Sequence, residues 1–160
     1  MEKSIMTWNR RYSEAHALYC KDKYPVAFEA SGGMTMKVNF PCVTKANGLT
    51  LAIENYLLWC GYRCTRINVH GRVINGKHIF SSTRKGSADL SSTIKGRSVM
   101  WEIKIGKDKP SEHQLKEQRL ERAAGGEYFF VKTIHEFFDL LDNYLVSLQH
   151  NSFTGVETGK

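Results

Sequence analysis

Asp89 and Glu102 stand thirteen residues apart on either side of Lys95-Gly96, and a tight turn at that dipeptide makes the segment a β-hairpin. Folding the chain there pairs Ile94 with Arg97, Ser92 with Val99, Leu90 with Trp101, and Asp89 with Glu102. Side chains alternate along a strand, so Val99, Trp101, Ile103 and Ile105 share an apolar face while Glu102 and Lys104 point the other way. The partner strand agrees with this register: Leu90, Ser92 and Ile94 fall opposite the apolar set, and Asp89 falls on the charged side. Lys-Gly is a weaker turn signal than Asn-Gly, and a glycine bulge would shift the pairing by one. That shift sets Asp89 beside Trp101 or Ile103, so the unshifted register is expected.

Two carboxylates about 5 Å apart across a ladder repel by roughly 3 kcal/mol at an effective dielectric of about 20. A hard divalent cation such as Mg²⁺ or Mn²⁺ offsets that repulsion, because it takes oxygen ligands and keeps waters for chemistry. Lys104 beside the cation could orient or deprotonate an attacking water, or stabilise charge building on a phosphate. The plainer reading is a surface ion-pair cluster in which Lys104 only neutralises its neighbours.

The charge distribution bears on the partner. The chain carries a formal net charge of +7. Between Cys60 and Lys109 stand eleven Lys or Arg against Asp89, Glu102 and Asp108, a balance of +8, so the rest is close to neutral. The basic segment contains the carboxylate hairpin, as expected of a site that attracts a polyanion such as nucleic acid; a solvated basic surface is the alternative. A length of 160 residues with 41% hydrophobic and 24% charged content suits one soluble domain with a core of its own. No apolar run is long enough to span a bilayer and the first residues lack a signal-peptide core, so a cytoplasmic protein is expected, with no membrane partner. Cys20, Cys42, Cys60 and Cys64 show no CxxC spacing, and neither disulfides nor zinc is expected.

Along the chain, residues 1–45 read as an N-terminal extension, residues 46–148 as the main domain and residues 149–160 as a polar tail. In the extension, Ile5, Trp8, Tyr12, Ala15 and Tyr19 suggest an amphipathic helix, and Met34, Met36, Val38 and Phe40 alternate like a strand. Its role is not given by the sequence; packing onto the chain's own core is the expectation for it, and wrapping a partner subunit the alternative. A core helix is predicted from a Thr50 cap to Cys60, with strands over 63–70 and 77–83 joined by a loop at 71–76. After the hairpin come a helix over 111–124 introduced by Pro110, a strand over 128–132, and a helix over 134–148 with a Thr133, Glu136 capping box. The order implies a compact α/β domain with a mixed sheet.

The set Gly86-Ser87-Ala88-Asp89-Leu90, Trp101-Glu102-Ile103-Lys104, Asp108, Ser111, Gln114, and Gly125-Gly126 before Tyr128-Phe129-Phe130-Val131 resembles the VRR-NUC branch of the PD-(D/E)XK nuclease superfamily. The likeness covers residues 48–138. It implies a restriction-endonuclease-like core, a mixed β-sheet flanked by helices, and metal-dependent phosphodiester hydrolysis in DNA with Mg²⁺ or Mn²⁺. By the same likeness Asp89, Glu102, Lys104 and Gln114 are catalytic. Asp89, Glu102, the Ile103 carbonyl and Glu54 would hold metal. Gln114 could instead simply close a capping box on Ser111, and Glu54 could be a solvent-facing helix residue. Ala88-Asp89 stands where the superfamily is named for Pro-Asp, a departure that leaves the ligand intact. Arg84, Lys85, Lys107 and Lys109 flank the site as candidate phosphate contacts. Compact relatives of phages and mobile elements imply a homodimer that cuts branched DNA such as Holliday junctions, in a bacterial or phage-type setting. The alternatives are a catalytically inactive DNA-binding or assembly module on the same fold, and a defence nuclease acting on RNA or DNA.

Overall fold

The chain turns at Lys95-Gly96. In the computed structural model these residues have φ of 50° and 79°, the two positive angles of a type I′ turn, whose twist suits the flanking strands. The structure describes residues 2–33, 37–67, 72–74, 77–79 and 85–153, with side chains over 8–33, 37–67 and 85–150. Its elements are α1 (Glu2–Lys23), α2 (Pro25–Ala30), α3 (Ala46–Trp59), β1 (Arg63–Arg66), β2 (Arg72–Ile74), β3 (Lys77–Ile79), β4 (Leu90–Ile94), β5 (Arg97–Ile103), α4 (Glu112–Ala123), β6 (Glu127–Val131) and α5 (Ile134–Phe153).

The hairpin register is the expected one, with Ile94 opposite Arg97, Ser92 opposite Val99 and Leu90 opposite Trp101. The main sheet has four strands in the order β1-β4-β5-β6. β1 and β5 each pair antiparallel with β4, and β6 joins β5 in parallel, Glu102 opposite Phe130. A parallel neighbour needs a crossover, and α4 supplies it. The result is a mixed α/β fold, a four-stranded mixed sheet flanked by helices.

One face of this sheet is apolar. Leu90, Ile94, Val99, Trp101, Ile103 and Val131 pack there with Ile53 and Leu57 of α3 and Phe137 and Leu141 of α5. Trp101 is fully buried between Phe129 and Phe137, each with its ring centre 5.1 Å away. Ser92 lies among these apolar groups without a lost hydrogen bond: its hydroxyl donates to the Val99 carbonyl (2.8 Å) and accepts from Trp101 Nε1 (2.9 Å). Trp8, Tyr12 and Ala15 place α1 in the same core.

Several boundaries differ from the sequence reading. α3 begins at Ala46, not at a Thr50 cap; the Thr50 hydroxyl donates back to the Ala46 carbonyl (2.8 Å) inside the helix. Gly48 permits that early start, because a Cβ there would meet the Cys42 carbonyl. Residues 37–40 form no strand, and 34–36 lie outside the described residues. Arg72–Ile74, read as loop, is a strand pairing antiparallel with Lys77–Ile79. Residues 68–70 and 80–83 of the predicted strands are outside the described residues. α5 runs to Phe153, so the boundary drawn at 148 falls within a helix, and α2 was not foreseen.

Candidate active site

On the opposite face, the side chains of Glu102 and Lys104 are turned from the apolar layer yet are not exposed: the residues are 5% and 6% accessible. A surface ion-pair cluster does not describe them. Asp89 sits in the bend just before β4, half-buried, and its Oδ2 accepts the Ile103 N–H at 2.9 Å. That bond ties the loop carboxylate to β5. The Asp89 carbonyl accepts from Ile67 N–H (2.8 Å), fixing the same bend to the end of β1.

Glu102 Oε1 receives two donors, Gln114 Nε2 at 2.5 Å and Lys104 Nζ at 3.1 Å. Gln114 is also the third residue of α4 and closes a capping box: its Oε1 accepts the Ser111 N–H (2.9 Å) and its own N–H donates to Ser111 Oγ (3.3 Å). The structural and functional readings of Gln114 therefore coexist, one amide oxygen holding the helix start and one amide nitrogen reaching the carboxylate. Lys104 Nζ bonds a further partner, Asp108 Oδ2 at 3.3 Å. Asp108 belongs to the motif set but had been given no role; residues 104 and 108 are joined through an irregular turn, where four-residue spacing has no fixed geometry.

Tyr128 and Gly86 close the arrangement from the far side. Tyr128 is 1% accessible, and its hydroxyl donates to the Gly86 carbonyl at 3.1 Å. Gly86 has φ +89°, and a Cβ there would stand 2.6 Å from the His113 carbonyl oxygen. The loop leading to Asp89 thus lies directly on the first turn of the helix that carries Gln114. Nothing local in the sequence signals these contacts, since Tyr128 and Gly86 are 42 residues apart.

The electrostatics follow from this burial. Desolvation first, and then the Asp89 charge, push the Glu102 carboxyl up to about 7, against the opposing pull of Lys104. Burial disfavours the Lys104 ammonium, but the hydrogen bonds and charges of Glu102 and then Asp108 outweigh it, so its pKa lies above the ordinary lysine value. The Tyr128 phenol is raised by burial and by the negative charges of Glu102, Asp89 and Glu117, and it stays a donor.

The remaining predicted residues divide. Lys85, Lys107 and Lys109 are exposed at the same end of the sheet, and Arg84 lies outside the described residues. Among the described residues no hydrogen bond or ion pair joins Glu54 to Asp89 or Glu102; its charge falls on the buried Cys64 thiol, which burial first and Glu54 second push up to about 12. No group of three or more His, Cys, Asp or Glu side chains among the described residues could hold a metal. What is available is a pair of hard carboxylates, and Mg²⁺ suits such a pair because it retains waters and takes substrate oxygens. Asp89 Oδ1 and Glu102 Oε2 accept no hydrogen bond among the described residues, and of the two causes that raise Glu102, burial first and the Asp89 charge second, the second is of the kind a cation removes. The residues fit a divalent cation on chemical grounds.

No protein-family model matches the chain, and none of the curated proteins or solved structures compared with it is significantly similar. Among the described residues no helix is long and apolar enough to cross a membrane.

Proposed function

We propose that the chain is a metal-dependent DNA endonuclease with a restriction-endonuclease-like core, hydrolysing phosphodiester bonds. The observation that carries the reading is the convergence of Asp89, Glu102, Lys104 and Gln114 on one buried, charged patch of an otherwise apolar-cored sheet. The coarse architecture is compatible with it: α3, β1, β4, β5, the crossover α4 and the parallel β6 make a four-stranded mixed sheet flanked by helices.

Bound at Asp89 and Glu102, with the Ile103 carbonyl as a third oxygen, Mg²⁺ or Mn²⁺ would supply a Lewis acid and a more acidic water. Hydrolysis forms one P–O bond to the water oxygen and breaks one P–O ester bond, the water proton passing to solvent and the leaving oxygen taking one up. Lys104, held as an ammonium by two carboxylates, cannot readily accept that proton; its role is to orient the water and to stabilise charge on the phosphate. Gln114 keeps Glu102 turned toward the site. Ile103 N–H does the same for Asp89. Lys85, Lys107 and Lys109 lie where phosphates would approach. The preferred substrate is branched DNA such as a Holliday junction, and the acting form a homodimer whose two sites make paired cuts.

The test is cleavage of labelled four-way junction, flap and linear duplex DNA in Mg²⁺ or Mn²⁺, with Asp89→Asn and Lys104→Ala beside the wild type. Metal-dependent cutting, strongest on the junction and lost in both variants, is the expected result. Binding without cutting of any substrate would reassign the chain as a DNA-binding module.

A further inference from the structure

The sheet-facing side of α4 is polar throughout. Gln114 donates to Glu102, Gln118 Nε2 donates to the Tyr128 carbonyl (2.8 Å), and Glu117 and Glu121 line a cavity of about 80 Å³ with Ser87, Met100 and Tyr128. Residues 114, 117, 118 and 121 form one helical stripe. With its acidic Glu117 and Glu121 turned inward, the outward side keeps its cations. Lys116 and Arg119 are exposed, and among the described residues neither pairs with a carboxylate. Arg122, one turn on, is by contrast held by Glu127 at 3.1 Å.

Lys116 and Arg119 line an open groove of about 470 Å³ with Glu112, His113 and Leu115. Glu112 is the one acid on it. The groove runs from the helix start, which directly follows Lys107 and Lys109 and lies on the Asp89 loop through Gly86. Three residues of helix place Lys116 and Arg119 on one face with their Cβ atoms about 5–6 Å apart, so the two can act on one strand together.

We propose that the outer side of α4 carries the phosphate backbone of the bound strand away from the site, with Lys116 and Arg119 continuing the path begun by Lys107 and Lys109. The inference rests on the nucleic-acid reading of the site and adds the direction in which the strand leaves it. A cation that neutralises a phosphate releases a counterion, so each such contact has its own signature in salt dependence.

The experiment is binding of a labelled four-way DNA junction to the full chain over a salt series, with Ca²⁺ in place of Mg²⁺. The wild type is compared with Lys116→Ala/Arg119→Ala and with Arg63→Ala/Lys95→Ala, which removes two exposed cations at the other end of the hairpin. The α4 variant is expected to flatten the slope of log K against log salt by roughly 0.9 per cation and to weaken binding about tenfold at moderate salt. An unchanged slope in the α4 variant, an equal loss in the hairpin-tip variant, or no binding by the wild type would each overturn the proposal. If the slope flattens as expected but the wild type cuts nothing in Mg²⁺ or Mn²⁺, the nuclease reading fails and the phosphate path stands.

Discussion

The two faces of the four-stranded sheet are built from alternate residues of the same strands, yet they are held in different ways. Toward α3 and α5, contact is apolar and closed around Trp101. Toward α4, contact runs through named hydrogen bonds and a close backbone approach at Gly86, and α4 has no fully buried residue. Hydrophobic burial is non-directional and tolerates small shifts, whereas a hydrogen-bonded polar cluster must be met at every partner. Stability rests mainly on the apolar face, the candidate site lies on the other, and substitutions should separate the two.

The sharpest break is Trp101→Ala, expected to lose about 3–5 kcal/mol of stability through the cavity left between Phe129 and Phe137; urea denaturation reads it directly. On the charged face the leading effect is pH. Glu102 is raised in the folded chain, so the folded state binds its proton more tightly than the unfolded state does. Metal-free stability should therefore fall as pH rises from about 4.5 to about 7, by roughly 1–3 kcal/mol. Mn²⁺ should cancel that fall, and Asp89→Asn should shrink it while abolishing cleavage; a melting temperature flat across this window in wild type would refute the assignment.

Gly86→Ala comes next, expected to lose about 1–3 kcal/mol, since it adds both positive-φ strain and a clash with the His113 carbonyl. Its effect on amide exchange should concentrate in α4 and spare β5, and cleavage should fall further than stability does. The smallest change is Lys95→Gly in the I′ turn, expected to raise stability by a few tenths to about 1 kcal/mol and leave cleavage unaltered. Equal losses of stability and activity along this series would dissolve the distinction between the faces.

How much of this was readable beforehand depended on whether two independent patterns agreed. The hairpin register could be read because both strands alternate and only one register puts Asp89 with Glu102 rather than with Trp101. The alternation at 34–40 had no partner strand to agree with, and Phe40 instead packs its ring edge-on to Trp8 at 5.5 Å. The start of α3 was misread because Thr50 has the chemistry of a cap, while the observed N-cap, Lys45, makes no side-chain capping bond. In the site, Asp89, Glu102 and Lys104 were legible as a local constellation. The pairing of Lys104 with Asp108 and the Tyr128-to-Gly86 bond depend on turns and on β6 returning to β5, which no local period encodes.

The parallel pairing of β6 with β5 sets the order in which the site can assemble. β4 and β5 meet through a two-residue turn, a contact of short loop length that closes cheaply in entropy. Gln114 and Tyr128 join only after the α4 crossover closes and β6 docks. A chain still being synthesised or only half refolded can therefore have its hairpin paired but lack the Gln114 and Tyr128 contacts of the site. On the nuclease reading, a chain folded no further than the hairpin is not expected to cut.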